Sequence, residues 1–163
     1  DGIGPPYDTP LDAGPGQLKT WVKDVRKRDA LARRPLESLE RAAASIGKLS
    51  SRASQERLMA LAEAATYEEG GDRFWRFDPL HRSAGPIGFR VDRYMPFLEA
   101  VDCPVHILWA EETGMHAPDE DERIRALGSV TQETLPNTGH NIHHDDPDAV
   151  ITALRRFLEG LEA

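Results

Sequence analysis

The first half of the chain repeats apolar residues with the period of an α-helix. Between positions 18 and 67 three apolar stripes recur at spacings of three and four residues, which place side chains on one helix face. We therefore predict three helices, with Pro35 and Ser54 where the second and third begin. Residues 1–16 hold four prolines and four glycines and predict only turns or loop. The stripes are Leu18, Trp21, Val22 and Val25, then Leu36, Leu39, Ala43 and Ile46, and finally Leu58, Leu61, Ala62 and Ala65.

The helical pattern ends at two adjacent glycines, Gly70 and Gly71. Residues 74–77 then alternate between apolar and polar side chains, as a short strand does, before Asp78 and Pro79 turn the chain. Residues 80–92 are rich in glycine, proline and arginine, and we expect them to be irregular.

The second half predicts a strand, a helix, a second strand and a second helix. A short helix at about 93–100 leads into residues 105–110, whose apolar density is typical of a buried parallel strand. A small helix at 119–127 and a strand at 130–135 follow. The last helix has Asp146 as its N-cap and Pro147 at its first position, and its apolar face contains Val150, Leu154, Phe157, Leu158 and Leu161.

This order of elements implies parallel strands that are joined by right-handed crossovers. Two strands do not make a stable sheet that helices cover on both faces, because such a sheet needs neighbouring strands. We therefore expect the remaining strands of the sheet to come from elsewhere.

Composition places the chain among ordinary globular proteins, with 39% hydrophobic and 29% charged residues in a length of 163. There is no run of about 18 apolar residues and no signal-peptide segment, so we expect no membrane segment and a cytoplasmic location. The single cysteine, Cys103, excludes an intrachain disulfide. It lies at the start of an apolar strand, and we expect it to be buried and inert.

The net charge of −8 is concentrated in the second half, where residues 81–163 hold 7 basic and 15 acidic side chains. This excess repels phosphate backbones, so we expect no nucleic-acid partner.

Candidate chemistry is concentrated between the second strand and the last helix. His140 follows Gly139 in a turn at the end of that strand, before the helix that Asp146 caps. His143 and His144 carry imidazoles of the kind that bind zinc, but adjacent histidines point in different directions, so we expect no metal site.

This combination of segments resembles the α/β-hydrolase superfamily over essentially the whole chain. The segment Asp1–Pro6 is similar to the exit from the strand that follows the nucleophile helix, and residues 13–92 are similar to a helical cap. Within that cap, Trp75–Pro79 resembles the serine-hydrolase-like branch, and Cys103–Ala110 resembles the penultimate core strand. The resemblance implies an α/β fold, namely the C-terminal part of an α/β hydrolase. Its parts are a loop leaving a core strand (1–16), a mainly helical cap (17–92) and the C-terminal core (93–163).

The resemblance also implies that His140 is the catalytic base. No Gly-x-Ser-x-Gly nucleophile elbow occurs anywhere in the 163 residues. The nucleophile and the oxyanion donors would therefore come from a partner, the N-terminal half of the hydrolase core. The chemistry of this family implies a small-molecule substrate and no metal or organic cofactor.

The acid that orients the histidine is where the sequence departs from the family pattern. Most relatives end the penultimate strand in Gly-x-x-Asp, whereas this chain has Ala110–Thr113, and Thr113 carries no charge. An imidazole needs an acceptor within hydrogen-bond reach, not an aspartate at one register. Glu112 is therefore the first candidate and Glu111 the second. Asp1 is the third, because some relatives place the acid after the earlier strand.

Three residues are candidate substrate contacts. Trp21 and Trp75 are placed to line an acyl pocket beneath the cap, although aromatic residues at such spacings more often belong to a core. Met115 lies in the loop above the sheet edge. The predicted function is hydrolysis of esters or similar small molecules by the complete enzyme, the chain alone being inactive. The alternative is a non-catalytic interaction subunit, or a fragment, that docks through its incomplete sheet.

Overall fold

The computed structural model describes residues 3–6, 14–31, 34–83, 85–112 and 116–161. The chain divides into two compact units. The helical unit comprises Asp8–Lys48 and Gln55–Arg90, and the core unit comprises Asp1–Tyr7, Leu49–Ser54 and Val91–Ala163. The six-residue loop Leu49–Ser54 therefore belongs to the core unit, although the helices on either side of it in sequence belong to the helical unit.

The described part of the helical unit contains three helices and a hairpin. These are α1 (Gly14–Leu31), α2 (Leu39–Gly47), α3 (Gln55–Ala65), β1 (Thr66–Glu69) and β2 (Asp72–Trp75), followed by a 3₁₀ turn at Pro79–Arg82. Three fully buried alanines, Ala42, Ala43 and Ala62, let α2 and α3 approach closely. Larger, partly buried side chains pack around them: Leu36, Leu39, Ile46, Leu58, Met59 and Trp75. The three predicted helices are confirmed.

Two of the predicted starts in this unit were wrong. The second helix does not start near Pro35, because Leu36 forms a β-bridge with Arg73 and its amide donates to the Arg73 carbonyl at 2.7 Å. Ser38 caps α2 instead, its hydroxyl accepting from the Arg41 amide at 3.2 Å. Likewise α1 begins at Gly14, inside the predicted loop 1–16, because the fixed φ of Pro15 suits the first turn of a helix.

The hairpin was only half predicted. The strand expected at 74–77 is β2, shifted to Asp72–Trp75. The sequence does not predict its partner β1, whose first two residues lie at the end of the predicted helical stretch. The two strands pair antiparallel from Thr66 opposite Trp75 to Glu69 opposite Asp72. Gly70 and Gly71 connect them with φ values of 63° and 89°, and two positive φ values are what a two-residue type I′ hairpin turn requires.

The core unit has the predicted order of elements. It contains α4 (Val91–Glu99), β3 (Val105–Ala110), α5 (Glu120–Ala126), β4 (Val130–Leu135), the short α6 (Ile142–Asp145) and α7 (Pro147–Leu161). Strands β3 and β4 are parallel, with Val105 opposite Val130 and Ala110 opposite Leu135, as predicted. The buried apolar side chains of this unit are Leu98, Ala110, Leu127, Leu135 and Ala153.

Helix α7 confirms its predicted cap, because the Asp146 carboxylate accepts from the Ala149 amide at 3.0 Å. Its apolar face is only partly covered: Leu154, Leu158 and Leu161 remain 44%, 57% and 49% exposed. Neighbouring strands lie only about 5 Å apart, whereas a helix with its side chains is about 10 Å across, so a pair of strands covers only part of an apolar helix face. No helix among the described residues combines the length and apolar character that crossing a membrane requires.

The expectation that Cys103 is buried was wrong, because its side chain is exposed. The cysteine precedes β3, which begins at Val105, and therefore lies in the connection from α4 and not in the packed strand.

Arg123 on α5 is a buried cation with only 1% of its surface exposed. Its Nε and Nη2 atoms contact the two carboxylate oxygens of Asp119 at 3.0 and 2.8 Å. Its Nη1 atom donates to the carbonyls of Ile3 and Pro5 at 2.8 and 2.9 Å. Asp119 thus neutralises the charge of Arg123, whose guanidinium also fixes the segment 3–6 to α5 within the core unit.

Gly4 lets the segment 3–6 pack closely against the ring of Tyr94. Its φ is +84°, and a Cβ atom at this position would lie 2.9 Å from the Tyr94 ring. Only glycine satisfies both the backbone conformation and the space available.

Substitution of Arg123 by methionine should lower the free energy of unfolding by about 3 kcal/mol. Methionine retains most of the buried volume, but the carbonyls of Ile3 and Pro5 and the Asp119 carboxylate lose their shared donor. Urea denaturation measures the loss. The matched control is Arg125→Met on the same helix, where the side chain is exposed and the change should stay within about 0.5 kcal/mol. Equal losses in the two variants would contradict a structural role for the buried guanidinium.

Candidate active site

The carboxyl ends of β3 and β4 lie side by side, because the strands are parallel and in register up to Ala110 and Leu135. Backbone pairing continues past the strands: the Glu111 amide donates to the Leu135 carbonyl at 3.2 Å, and the Glu112 amide donates to the Thr138 carbonyl at 3.1 Å. The structure therefore brings the predicted acid segment next to the residues that lead into the predicted histidine turn.

The histidine turn is the segment Gly139–His144. The Gly139 amide donates to the Asp145 carboxylate at 2.8 Å, which ties the start of the turn to α6. The carbonyl of Asn141 accepts from the amides of His144 and Asp145 at 2.9 and 3.0 Å. The His140 side chain is half-buried at the centre of this turn. A short, internally bonded turn of this kind holds the imidazole in a defined place.

The two predicted acids already have hydrogen-bond partners. A Glu111 carboxylate oxygen accepts from the Asn137 amide at 2.7 Å, at a position where Asn137 has a φ of 55°. Glu112 forms an ion pair with Arg52, which also donates to the Asn137 carbonyl at 3.1 Å. Each carboxylate has about four lone-pair sites, so these bonds leave acceptor capacity for an imidazole.

The loop Leu49–Ser54 contributes a contact that the sequence did not predict. The Ser50 hydroxyl, which is fully buried, lies 2.8 Å from Nδ1 of His144. The side-chain amide of Asn141 donates to the Leu49 carbonyl at 2.9 Å and to the Ser50 hydroxyl at 3.2 Å. No sequence signal could have found these bonds, because more than 90 residues separate the partners and each residue type is common in turns.

The surroundings of His144 lower its pKa below the usual value. Burial of the ring, which disfavours the charged form, is the largest cause. The neighbouring His143, with ring centroids 4.2 Å apart, acts in the same direction, and Asp145 partly opposes both. The histidine that Ser50 contacts is therefore biased towards its neutral form.

A serine hydroxyl within hydrogen-bond distance of a histidine is also the geometry of an activated nucleophile. Ser50 does not fit that role, because none of its surface is accessible and its oxygen already accepts from Asn141. The contact between Ser50 and His144 is therefore structural and not catalytic.

The predicted substrate contacts are only partly described. Trp21 is half-buried on α1, and Trp75 on β2 packs against the alanine cluster, with its ring 5.3 Å from that of Phe77. The core interpretation of Trp75 is thereby favoured. Asp1, Thr113 and Met115 lie outside the described residues. Among the residues that are described, no group of three or more His, Cys, Asp or Glu side chains is placed to hold a metal ion.

Three solved structures resemble the chain closely in fold. A hypothetical protein from Pseudomonas aeruginosa PAO1 has a TM-score of 0.76 at 23% identity, covering 97% of this chain and 56% of its own. The thioesterase domain from the curacin biosynthetic pathway has a TM-score of 0.74 at 18% identity, covering 93% and 54%. An esterase from Mycobacterium tuberculosis has a TM-score of 0.63 at 17% identity, covering 86% and 49%.

The chain thus spans about half the length of the solved structures that it matches. No protein-family model matches the sequence, and no curated protein matches it either. Other structural neighbours include an α/β hydrolase from Novosphingobium aromaticivorans, with a TM-score of 0.57 at 20% identity over 97% of this chain and 54% of its own. The fold of the chain is that of the C-terminal part of an α/β hydrolase.

Proposed function

We propose that the chain supplies the cap and the C-terminal core of a hydrolase that cleaves esters or similar small neutral molecules. One observation carries the proposal: the turn that contains His140 and the segment that contains Glu111 and Glu112 lie together at the carboxyl ends of two parallel strands. In open α/β sheets this edge is where ligands bind. Two structural neighbours, a thioesterase domain and an esterase, support acyl transfer as the reaction class.

In the proposed mechanism a serine from a segment outside this chain attacks the acyl carbon. His140 accepts the serine proton and gives it to the leaving alcohol as the ester C–O bond breaks, which leaves an acyl-serine. His140 then takes a proton from water, which attacks the acyl-serine, and returns that proton to the serine oxygen as the acid is released. A carboxylate, with Glu112 first and Glu111 and Asp1 after it, holds the imidazole in the productive tautomer and stabilises its cation. Backbone amides beside the serine stabilise the oxyanion. These roles need no metal or organic cofactor.

The proposed partner is the N-terminal half of the hydrolase core, which would supply the nucleophile and the missing strands. The two-stranded sheet and the half-exposed apolar face of α7 are surfaces that such a partner would cover. We use the name complete hydrolase for this chain together with that half. A cytoplasmic location is part of the proposal.

A second candidate function is a non-catalytic interaction subunit. The observation that favours it is the same uncovered sheet, since an unpaired strand edge is a template for association with another chain. In that case His140 and the acids would have no part in chemistry.

Hydrolysis of a nitrophenyl ester distinguishes the two functions. Residues 1–163 alone should show no turnover above buffer, since no nucleophile elbow is present. The polypeptide translated with any coding sequence that precedes Asp1 should hydrolyse the ester if that sequence carries a Gly-x-Ser-x-Gly elbow. Changing the elbow serine to alanine in the same polypeptide is the control. Robust turnover by residues 1–163 alone would contradict the hydrolase proposal. So would the absence of turnover in a polypeptide that contains the elbow.

A further inference from the structure

The histidine turn is held from outside by one short loop. Leu49 and Ser50 of this loop contact Asn141 and His144. Arg52 of the same loop forms an ion pair with Glu112 and donates to the Asn137 carbonyl. The loop Leu49–Ser54 therefore contacts both the segment that follows β3 and the segment that follows β4. We name the hydrogen-bonded group of Ser50, Asn141 and His144 the Ser50 clamp.

The bonding partners decide which way each hydrogen in the Ser50 clamp points. The Leu49 carbonyl can only accept, so the group of Asn141 that faces it is the NH₂ group. The same nitrogen donates its second hydrogen to the Ser50 oxygen. Ser50 is fully buried, its hydroxyl hydrogen therefore needs an acceptor, and among the described residues Nδ1 of His144 at 2.8 Å is the acceptor within reach. Nδ1 is the acceptor, which makes His144 a neutral imidazole that carries its proton on Nε2.

We propose that Ser50 is a positioning residue for His140: it selects the Nε2-protonated, neutral form of His144 and thereby fastens the histidine turn to the loop Leu49–Ser54. Ser50 touches no reacting atom in this role and acts through His144 and Asn141. The inference rests on the proposed function only in giving His140 a catalytic task. The clamp itself is a property of this chain.

Protonation of His144 opposes the clamp. Nδ1 would become a donor, and the Ser50 oxygen would then face two donors while its own hydrogen lost this acceptor. The titratable groups that act on the His144 ring are His143 and Asp145. Asp145 in turn interacts with Arg52 of the loop, whose guanidinium also interacts with Glu111 and Glu112 at the end of β3.

The sign of the pH dependence follows from the lowered pKa of His144, which comes mainly from ring burial and then from His143. The folded protein binds this proton less readily than the unfolded chain, whose histidine pKa is near 6.5. The stability linked to the neutral His144 ring is therefore fully present above a pH of about 6.5. It is lost as the pH falls from there through the lower folded-state value.

Nuclear magnetic resonance of the chain labelled with ¹⁵N-histidine tests the clamp without any substrate. His144 should show a protonated Nε2 and an unprotonated Nδ1 at pH 7.5. In Ser50→Ala the pKa of His144 should rise, because the bond that favours the neutral ring is gone. Amide protection factors at His144 and Asp145 should fall by about tenfold or more. The matched control is Ser51→Ala, in the next, exposed residue, which should change neither quantity.

A second variant, Asn141→Ala, removes the donor to the Ser50 oxygen and should also lower protection at His144 and Asp145, so the test does not depend on one substitution. A protonated Nδ1 in the unmodified chain would overturn the clamp. So would an unchanged pKa and unchanged protection in both variants.

The positioning role is tested in the complete hydrolase, where Ser50→Ala should lower kcat by about tenfold with little change in KM. Ser50→Thr, which restores a hydroxyl, should recover part of the loss. An unchanged kcat in an active enzyme whose clamp is seen by resonance would overturn the positioning role. Failure of the proposed function is a separate result, since a complete hydrolase without any activity would leave the resonance measurements on the clamp as they stand.

Discussion

Replacing His140 by alanine should lower the turnover number of the complete hydrolase by about a thousandfold or more. Alanine cannot take the nucleophile's proton or return it to the leaving group. The half-buried position of His140 between Gly139 and Asn141 predicts that the substitution leaves folding almost unchanged. Steady-state kinetics with a nitrophenyl ester, together with urea denaturation, measure both quantities.

The matched control is His143→Ala, three residues further along the same turn and helix. His143 contacts the ring of His144, so its loss should alter the turn only slightly and cost far less turnover. Equal losses in the two variants, or a larger loss for His143→Ala, would show that the base has been assigned to the wrong histidine.

The parts of the fold that the sequence predicted are those whose signals are local. The bounds of β3 and β4 were predicted to within one residue, because turn residues flank both segments in the sequence. Asp146 and Pro147 likewise predicted the start of α7. The order of these elements then predicted a parallel pair. The histidine turn was found for the same reason, since Gly139 and His140 are adjacent in sequence.

The parts that were missed depend on distant contacts. Leu36 leaves the helical pattern because Arg73 offers it a β-bridge, and the sequence around Leu36 contains no sign of that partner. Arg123 reads as one more charged residue on a short helix, yet it is buried against carbonyls about 120 residues away. The Ser50 clamp likewise joins residues more than 90 positions apart. Local patterns predict elements, whereas the bonds between elements were visible only in the structure.

Substituting Glu112 by glutamine should sharply lower turnover in the complete hydrolase and leave stability almost unchanged. A carboxylate that orients an imidazole and stabilises its cation can be worth up to about ten-thousandfold in turnover. Glutamine keeps the shape but removes the charge. The ion pair with Arg52 is accessible to solvent, which screens it, so its loss should hardly affect folding.

The Arg52 ion pair calls for its own control, because Glu112→Gln removes a catalytic candidate and an ion pair at once. Arg52→Gln removes the pair and keeps the carboxylate. If the two variants lose the same turnover, the effect of Glu112→Gln comes from the geometry of the loop and not from an acid beside His140.

Three further substitutions separate the candidate acids. Glu111→Gln should cost less than Glu112→Gln, because Glu111 is the second candidate for the acid. Thr113→Val should be mild, since threonine offers no charge. Asp1→Asn, measured beside them, tests whether the acid follows the earlier core strand or follows β3. A large loss confined to Asp1→Asn would move the acid to the earlier strand and eliminate Glu112. No loss in any variant would mean that His140 works without an acid from this chain, so its tautomer would have to be set by hydrogen bonds within its own turn.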